Sequence, residues 1–211
     1  MDQIIIFCRQ RRISINETKS YELIFRKRCH KSQAEDAAKP ILFHNTQVPF
    51  ITTGKFLGII FDQTLSFKQH IENIKSKARN RTIRLQTLHN DKYGPSNKTM
   101  VRLFKIYVRP LLEYGHIATI TAHKIIQRQW EPIQTSYIRN ILQLPRINNN
   151  NTRKLANTPP IYDRLLHLSN KWYQKTKKHN IQITNFINET VTKNSRLANP
   201  YSILTKQYIP K

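Results

Sequence analysis

The chain has 211 residues, enough for one domain or two small ones, and its 38% hydrophobic residues supply a core while leaving room for surface or linker. Thirty-six Lys and Arg stand against 12 Asp and Glu, a net charge of +24 whose self-repulsion asks for an anionic partner, with nucleic acid the first candidate. No apolar run reaches the roughly 18–20 residues of a membrane-spanning helix, and the opening MDQIIIFCRQRR puts its acid first and its cations afterwards, the reverse of a secretory signal, so an intracellular chain without a membrane partner, in nucleus or cytoplasm, is expected.

Residues 1–62 read as a mixed segment. In YELIFRKR, Tyr21, Leu23 and Phe25 alternate with Glu22, Ile24 and Arg26, which suits a half-buried strand. After the charged loop KSQAEDAAKP, the pieces ILFH and QVPFI flank a turn at Asn45-Thr46 and predict a hairpin whose second strand Pro49 pushes to an edge. KFLGIIFD supplies a further, mostly apolar strand, in which Gly58 marks either a bulge or a close approach to the backbone.

From Ser66 the period becomes helical. Phe67, Ile71, Ile74, Ala78, Leu85 and Leu88 fall on one stripe, with Ser66 as N-cap. Lys68, Lys75 and Arg79 lie along one flank of that stripe, and Lys77, Arg81 and Arg84 along the other. A second helix opens after a Gly-Pro turn, capped by Ser96, with Met100, Leu103, Phe104, Tyr107 and Leu111 facing inward. Its opposite face carries Lys98, Arg102, Lys105 and Arg109 in one row, placed to follow a phosphate backbone, and Pro110 kinks or ends it. A third stretch repeats Ile126, Trp130, Ile133, Tyr137 and Ile141 at helical spacing, with a kink or a late start expected at Pro132. The Asn-rich residues 146–160 read as a linker, and a fourth amphipathic helix follows through Ile161, Leu165, Leu168 and Trp172.

Catalytic machinery is hard to assemble from the remaining residues. Two-metal chemistry needs clustered carboxylates, yet among Asp2, Asp36, Asp62, Asp91 and Asp163 only Asp36 adjoins another acid, Glu35, in an expected loop. Four glycines form no phosphate-cradling loop. Cys8 and Cys29, without Cys-x-x-Cys or paired histidines, build no zinc site. The residues by themselves describe a basic, mostly helical nucleic-acid-binding chain with no catalytic centre, metal or cofactor of its own.

Five motifs in order add a resemblance. ISINETKSYELIF, KFLGIIFD, LSFKQHIENIKSKA, LFKIYVRPLLEYG and IQTSYIRNILQLPR, spread over about residues 12–180, resemble the C-terminal half of jockey-type non-long-terminal-repeat retrotransposon reverse transcriptases. The resemblance implies an α+β, predominantly helical fold: a small palm-like β remnant at 1–62, thumb-like helices at 63–145, the linker, and a helical C-terminal extension at 161–211. It implies that Asn16 and Lys19 lie near the incoming nucleotide and that Phe56, Leu57 and Gly58 form a primer-grip turn, Gly58 being the glycine of close approach. Lys68, Lys75, Arg79, Lys98, Arg102, Lys105 and Arg109 would then hold the template-primer duplex. RNA-directed DNA synthesis with magnesium is implied for the intact enzyme, whose fingers and catalytic palm would lie N-terminal to these motifs and act as partners. A stand-alone basic helical nucleic-acid-binding protein, or the inert product of a decayed mobile element, are the alternatives that the residues leave open.

Overall fold

The computed structural model describes residues 2–25, 41–43, 46–90, 92–145 and 147–179, together with 182 and 185. Arg26, Cys29, the expected loop over 31–40 with its Glu35-Asp36 pair, Asn45, Asp91 and the residues beyond 185 lie outside the described residues. The chain divides into two units, Met1–Gln69 and His70–Lys211, and α+β with helix predominating is the observed class.

The first unit holds helix α1 (Asp2–Gln10), a 3-10 turn (Glu17–Lys19) and two antiparallel pairs, β1 (Leu42–Phe43) with β2 (Thr46–Gln47) and β3 (Thr53–Phe56) with β4 (Ile59–Asp62). The expected strand over Tyr21 to Phe25 reduces to a single bridge between Glu22 and Phe50. Glu22 donates its N–H to the Pro49 carbonyl and accepts one from Ile51, both at 2.9 Å, and no described strand continues the ladder.

KFLGIIFD is not one strand but the end of a hairpin. Leu57 and Gly58 turn the chain at φ 45° and 83°, with Phe56 paired to Ile59. Two successive positive φ values are those of a type I′ turn, whose twist matches the flanking strands. Gly58 therefore serves the turn rather than a bulge. Within the chain, a close side-chain approach to a glycine occurs at Gly54, where a Cβ would stand 2.5 Å from the Tyr21 ring.

Asp62 ends β4 and organises the entry to the next helix. Its carboxylate accepts N–H groups from Thr64, Ser66 and Phe67 at 2.8–3.0 Å and the hydroxyls of Thr64 and Ser66 at 2.7 and 3.1 Å. Burial by itself would raise this carboxyl, but the hydrogen bonds from Ser66, Thr64 and Phe67 outweigh it and hold the pKa below the usual value. They also offset the strain of Leu65 and Phe67, both at positive φ. Ser66, expected as cap, accepts only a long 3.4 Å bond from the Lys68 N–H.

The second unit is a helical bundle. Helix α2 (Lys68–Gln86) buries Ile71, Ile74, Ala78 and Leu85, as its stripe predicts, whereas Leu88 lies past its end and is exposed. In α3 (Asn97–Tyr107) the Ser96 hydroxyl accepts the Thr99 N–H at 3.3 Å, so the expected cap is present. Met100 and Phe104 are buried, but the rest of the inner face is Val101, Val108 and Leu112, and Tyr107 is turned out. The helix stops at Val108, and α4 (Arg109–Glu113) starts afresh with Pro110 in its first turn, where a missing N–H costs nothing.

Beyond it run α5 (His116–Thr119), a 3-10 turn (Ile120–Ala122), α6 (His123–Gln129) and α7 (Glu131–Ile141). The break expected at Pro132 falls at Trp130, and Ile126, Trp130, Ile133, Tyr137 and Ile141 are all buried. The Trp130 indole donates to the Ile71 carbonyl at 3.1 Å, tying α2 to the bundle. Tyr137 stacks on Phe104 with centroids 4.9 Å apart and donates its hydroxyl to the Met100 carbonyl at 3.0 Å, while burial pushes its pKa up to about 12.

The Asn-rich stretch, expected as a linker, carries α8 (Asn149–Leu155). Asn148 caps it by accepting the Asn150 N–H at 3.0 Å, and Thr152 is buried beneath. Helix α9 (Ile161–His179), expected in a helical C-terminal extension, packs on α5, α6 and α7 with Ile161 and Leu165 fully buried.

Candidate nucleic-acid interface

The cations of α2 and α3 fall into two classes. The side chains of Lys68, Lys75, Lys77, Arg79, Arg84, Lys98 and Arg102 form no ion pair or hydrogen bond with any described residue. Arg81, by contrast, donates to the Tyr107 carbonyl at 2.8 Å and lies over the Tyr107 ring at 4.9 Å, tying α2 to the end of α3. Lys105 is intermediate. Its ammonium donates to the Asn157 carbonyl at 3.0 Å, and burial together with the Arg109 charge lowers its pKa from the usual value.

Arg109 does not complete the expected row. The helix break at Val108 resets the phase, and the side chain turns inward to stand 3.0 Å from Glu113, with only 8% of its surface exposed. Glu113 accepts a second guanidinium from Arg164 of α9 at 3.1 Å. A neighbouring carboxylate, Glu131, pairs with Arg153 and accepts the Ile161 N–H at 2.9 Å, which places it at the N-terminus of α9, where the helix dipole favours an anion. Burial draws the Arg109 pKa below its ordinary value against the opposing pull of Glu113. Glu113, four residues after Arg109, and Pro110, immediately after it, were the signals that could have found this inward turn.

The remaining row has a groove of about 650 Å³ beside it. Lys98, Arg102 and Lys105 line it from α3, and Leu142, Leu155 and Asn157 from the far side. No acid is among its lining residues. The arrangement offers an anion a cationic wall and an apolar floor.

In the first unit Asn16 caps the 3-10 turn. Its side-chain oxygen accepts the Thr18 hydroxyl at 2.7 Å and the Lys19 N–H at 3.2 Å, so its amide is engaged locally. Lys19 is exposed and lines a second groove of about 650 Å³ with Tyr21, Phe25, Lys55, Phe56 and Phe61. The Tyr21 hydroxyl donates to the Lys55 carbonyl at 2.7 Å. Phe56 and Leu57 project from the hairpin tip with 64% and 74% of their surface exposed, so the groove joins Lys19 to the turn singled out in the sequence.

Among the described residues no three His, Cys, Asp or Glu side chains gather as metal ligands. Asp62 spends both oxygens on its turn, Glu131 spends both on Arg153 and the Ile161 N–H, and one oxygen of Glu113 is shared by Arg109 and Arg164. These acids do not fit the magnesium pair that the resemblance implies for the intact enzyme. No helix among the described residues is long and apolar enough to cross a membrane.

No protein-family model and no solved structure matches the chain. Two Drosophila melanogaster proteins do. One, a probable RNA-directed DNA polymerase from transposon X-element, is 22% identical over 189 residues, covering 87% of this chain and 20% of its own length. The other, the RNA-directed DNA polymerase from mobile element jockey, is 25% identical over 126 residues, 59% of this chain and 14% of its own length. The chain thus spans a fifth or less of these curated relatives. It is similar to two RNA-directed DNA polymerases of mobile elements, one of them from jockey, in keeping with the resemblance that its motifs carry.

Proposed function

We propose that this chain serves a mobile-element reverse transcriptase by holding the template-primer duplex through α2 and α3, while polymerisation proceeds on carboxylates outside these elements. In this reading the first unit is late palm, with Lys19 near the incoming nucleotide and the Phe56–Gly58 tip against the primer, and the helical bundle is the thumb. One observation carries it: seven cations on two helices have no described partner, although a chain of net charge +24 pays for every unneutralised one. Lys68 and Arg84 are about 24 Å apart along α2 at 1.5 Å per residue, long enough to follow several phosphates. Direct contacts of this kind position a duplex without reading its sequence.

The test is the salt dependence of binding to an RNA–DNA heteroduplex. Replacing Lys98 and Arg102 together by Gln should shallow the slope of log affinity against log salt by about 1.8, at roughly 0.9 per phosphate. The same exchange at Lys171 and Lys175, exposed on α9, should cost much less. Equal losses would leave only diffuse charge and overturn the reading.

A further inference from the structure

A smaller hollow of about 440 Å³ adjoins the α3 groove at the turn between α8 and α9. It is lined by Asn150, Arg153, Lys154, Asn157, Thr158 and the prolines that open α9. Asn157 belongs to both hollows. It sits at φ 46°, accepts the Lys105 ammonium on its carbonyl, and leaves its side-chain amide without a hydrogen bond to any described residue.

Thr158 adds an independent observation. The residue is 4% exposed, and its hydroxyl is buried with no hydrogen-bond partner among the described residues. Native chains keep few such orphaned groups, and each asks for an explanation in a ligand or a bound water. Every side chain lining this hollow is cationic, neutral and hydrogen-bonding, or proline, and none is acidic.

We infer that the turn over residues 153–158 is a second phosphate-binding station, continuous with the α3 groove, so that one nucleic-acid strand passes from Lys98 and Arg102 across Asn157 to Lys154 and Thr158. The inference rests on the duplex-binding reading and extends it to a segment whose composition gave no sign of a site. Lys154 supplies charge, while Asn157 and Thr158 supply neutral donors to phosphate oxygens, the mixture with which proteins grip a backbone without reading bases. An acidic peptide would share the charge complementarity. The absence of aromatic side chains from both linings argues against base stacking and leaves the sugar-phosphate chain as the part that is gripped.

Two variants of the full chain, titrated on the same heteroduplex across salt, test it. Lys154→Gln should shallow the salt slope by about 0.9. Thr158→Val keeps shape and charge, so it should leave the slope unchanged while weakening binding roughly tenfold through one lost charge-assisted hydrogen bond. Without nucleic acid, Thr158→Val should melt no lower than the parent chain, because it removes a buried hydroxyl that lacks a partner. A merely structural threonine predicts the reverse pairing: altered melting and unaltered binding. If Lys98 and Arg102 matter but Lys154 and Thr158 do not, the second station is refuted and the duplex reading survives. If neither pair exceeds the Lys171 and Lys175 control, both fall. Tighter binding of poly-glutamate than of the heteroduplex, lost on Lys154→Gln, would assign the hollow to an acidic protein partner and overturn the inference.

Discussion

Arg109→Gln separates a cation that holds the fold from one that holds a ligand. Its guanidinium and the Glu113 carboxylate are 3.0 Å apart with 8% and 18% of their side-chain surfaces exposed. Removing one partner of a buried pair costs about 3–5 kcal/mol when the other is left bare. Here Arg164 remains 3.1 Å from the same oxygen, so Glu113 stays partly neutralised and the loss falls to roughly 2–3 kcal/mol. For a helical unit of about 110 residues that is a drop of roughly 8–15 °C in Tm. Glu113→Gln should be worse, since it leaves the buried Arg109 and the half-buried Arg164 facing each other with no shared anion. Thermal melts followed by circular dichroism at 222 nm give the first quantity, and heteroduplex titrations across salt give the second. A variant that keeps its Tm within about 1 °C while its salt slope shallows by about 0.9 would make Arg109 a phosphate contact and refute the inward placement.

Three further outcomes are expected. Burial, aided by the Lys77 charge, lowers the His70 pKa from its usual 6.5, so the unfolded chain binds the proton first. The stability owed to neutral His70 is therefore complete above pH 6.5 and is lost as pH falls towards the folded value, and urea melts between pH 7.5 and 5 should show a decline that His70→Asn flattens. At the hairpin tip Gly58→Ala places a Cβ at φ 83° and should cost about 1–2 kcal/mol, seen as roughly tenfold faster amide exchange at Phe56 and Ile59, with Gly58→Asn milder. The chain alone should not extend a DNA primer on an RNA template in magnesium, and extension that is missing from mock preparations would show that its scattered carboxylates suffice after all.

The helical stripes were legible because burial obeys the 3.6-residue period. Ile126, Trp130, Ile133, Tyr137 and Ile141 were picked out by spacing and are buried. Breaks at Pro110 and Pro132, and the cap at Ser96, follow from the missing N–H of proline and the orphan donors of a first turn. What escaped was whatever depends on phase or on distant neighbours. The helix stops at Val108 and restarts at Arg109, ahead of Pro110, and this change of phase moved Arg109 from the exposed row to the interior. An unbroken apolar run hides a two-residue turn, so Leu57-Gly58 read as strand. Composition marked Asn148 to Asn151 as loop, although an asparagine before a short helix is also a cap. The contact between Gly54 and Tyr21 joins residues 33 apart, and no local pattern announces it.

The cations that the bundle keeps for itself are almost all arginines. Among the described residues, Arg81, Arg109, Arg139, Arg153 and Arg164 each bind a carbonyl, an amide or a carboxylate, with Lys105 the one described lysine of the bundle to do so. A planar, weakly hydrated guanidinium can be carried inward and shared between acceptors, whereas an ammonium holds its water and stays at the surface. Total charge therefore overstates what a ligand meets. Residues 63–110 contain 11 Lys and Arg, but Arg81, Lys105 and Arg109 are engaged internally, and Lys92 lies between α2 and α3. The seven that remain set a ceiling of about 6 on what these two helices add to the salt slope, at roughly 0.9 per phosphate. Neutralising all seven should remove no more than that, and a larger loss would mean that the internally engaged cations leave their partners when nucleic acid binds.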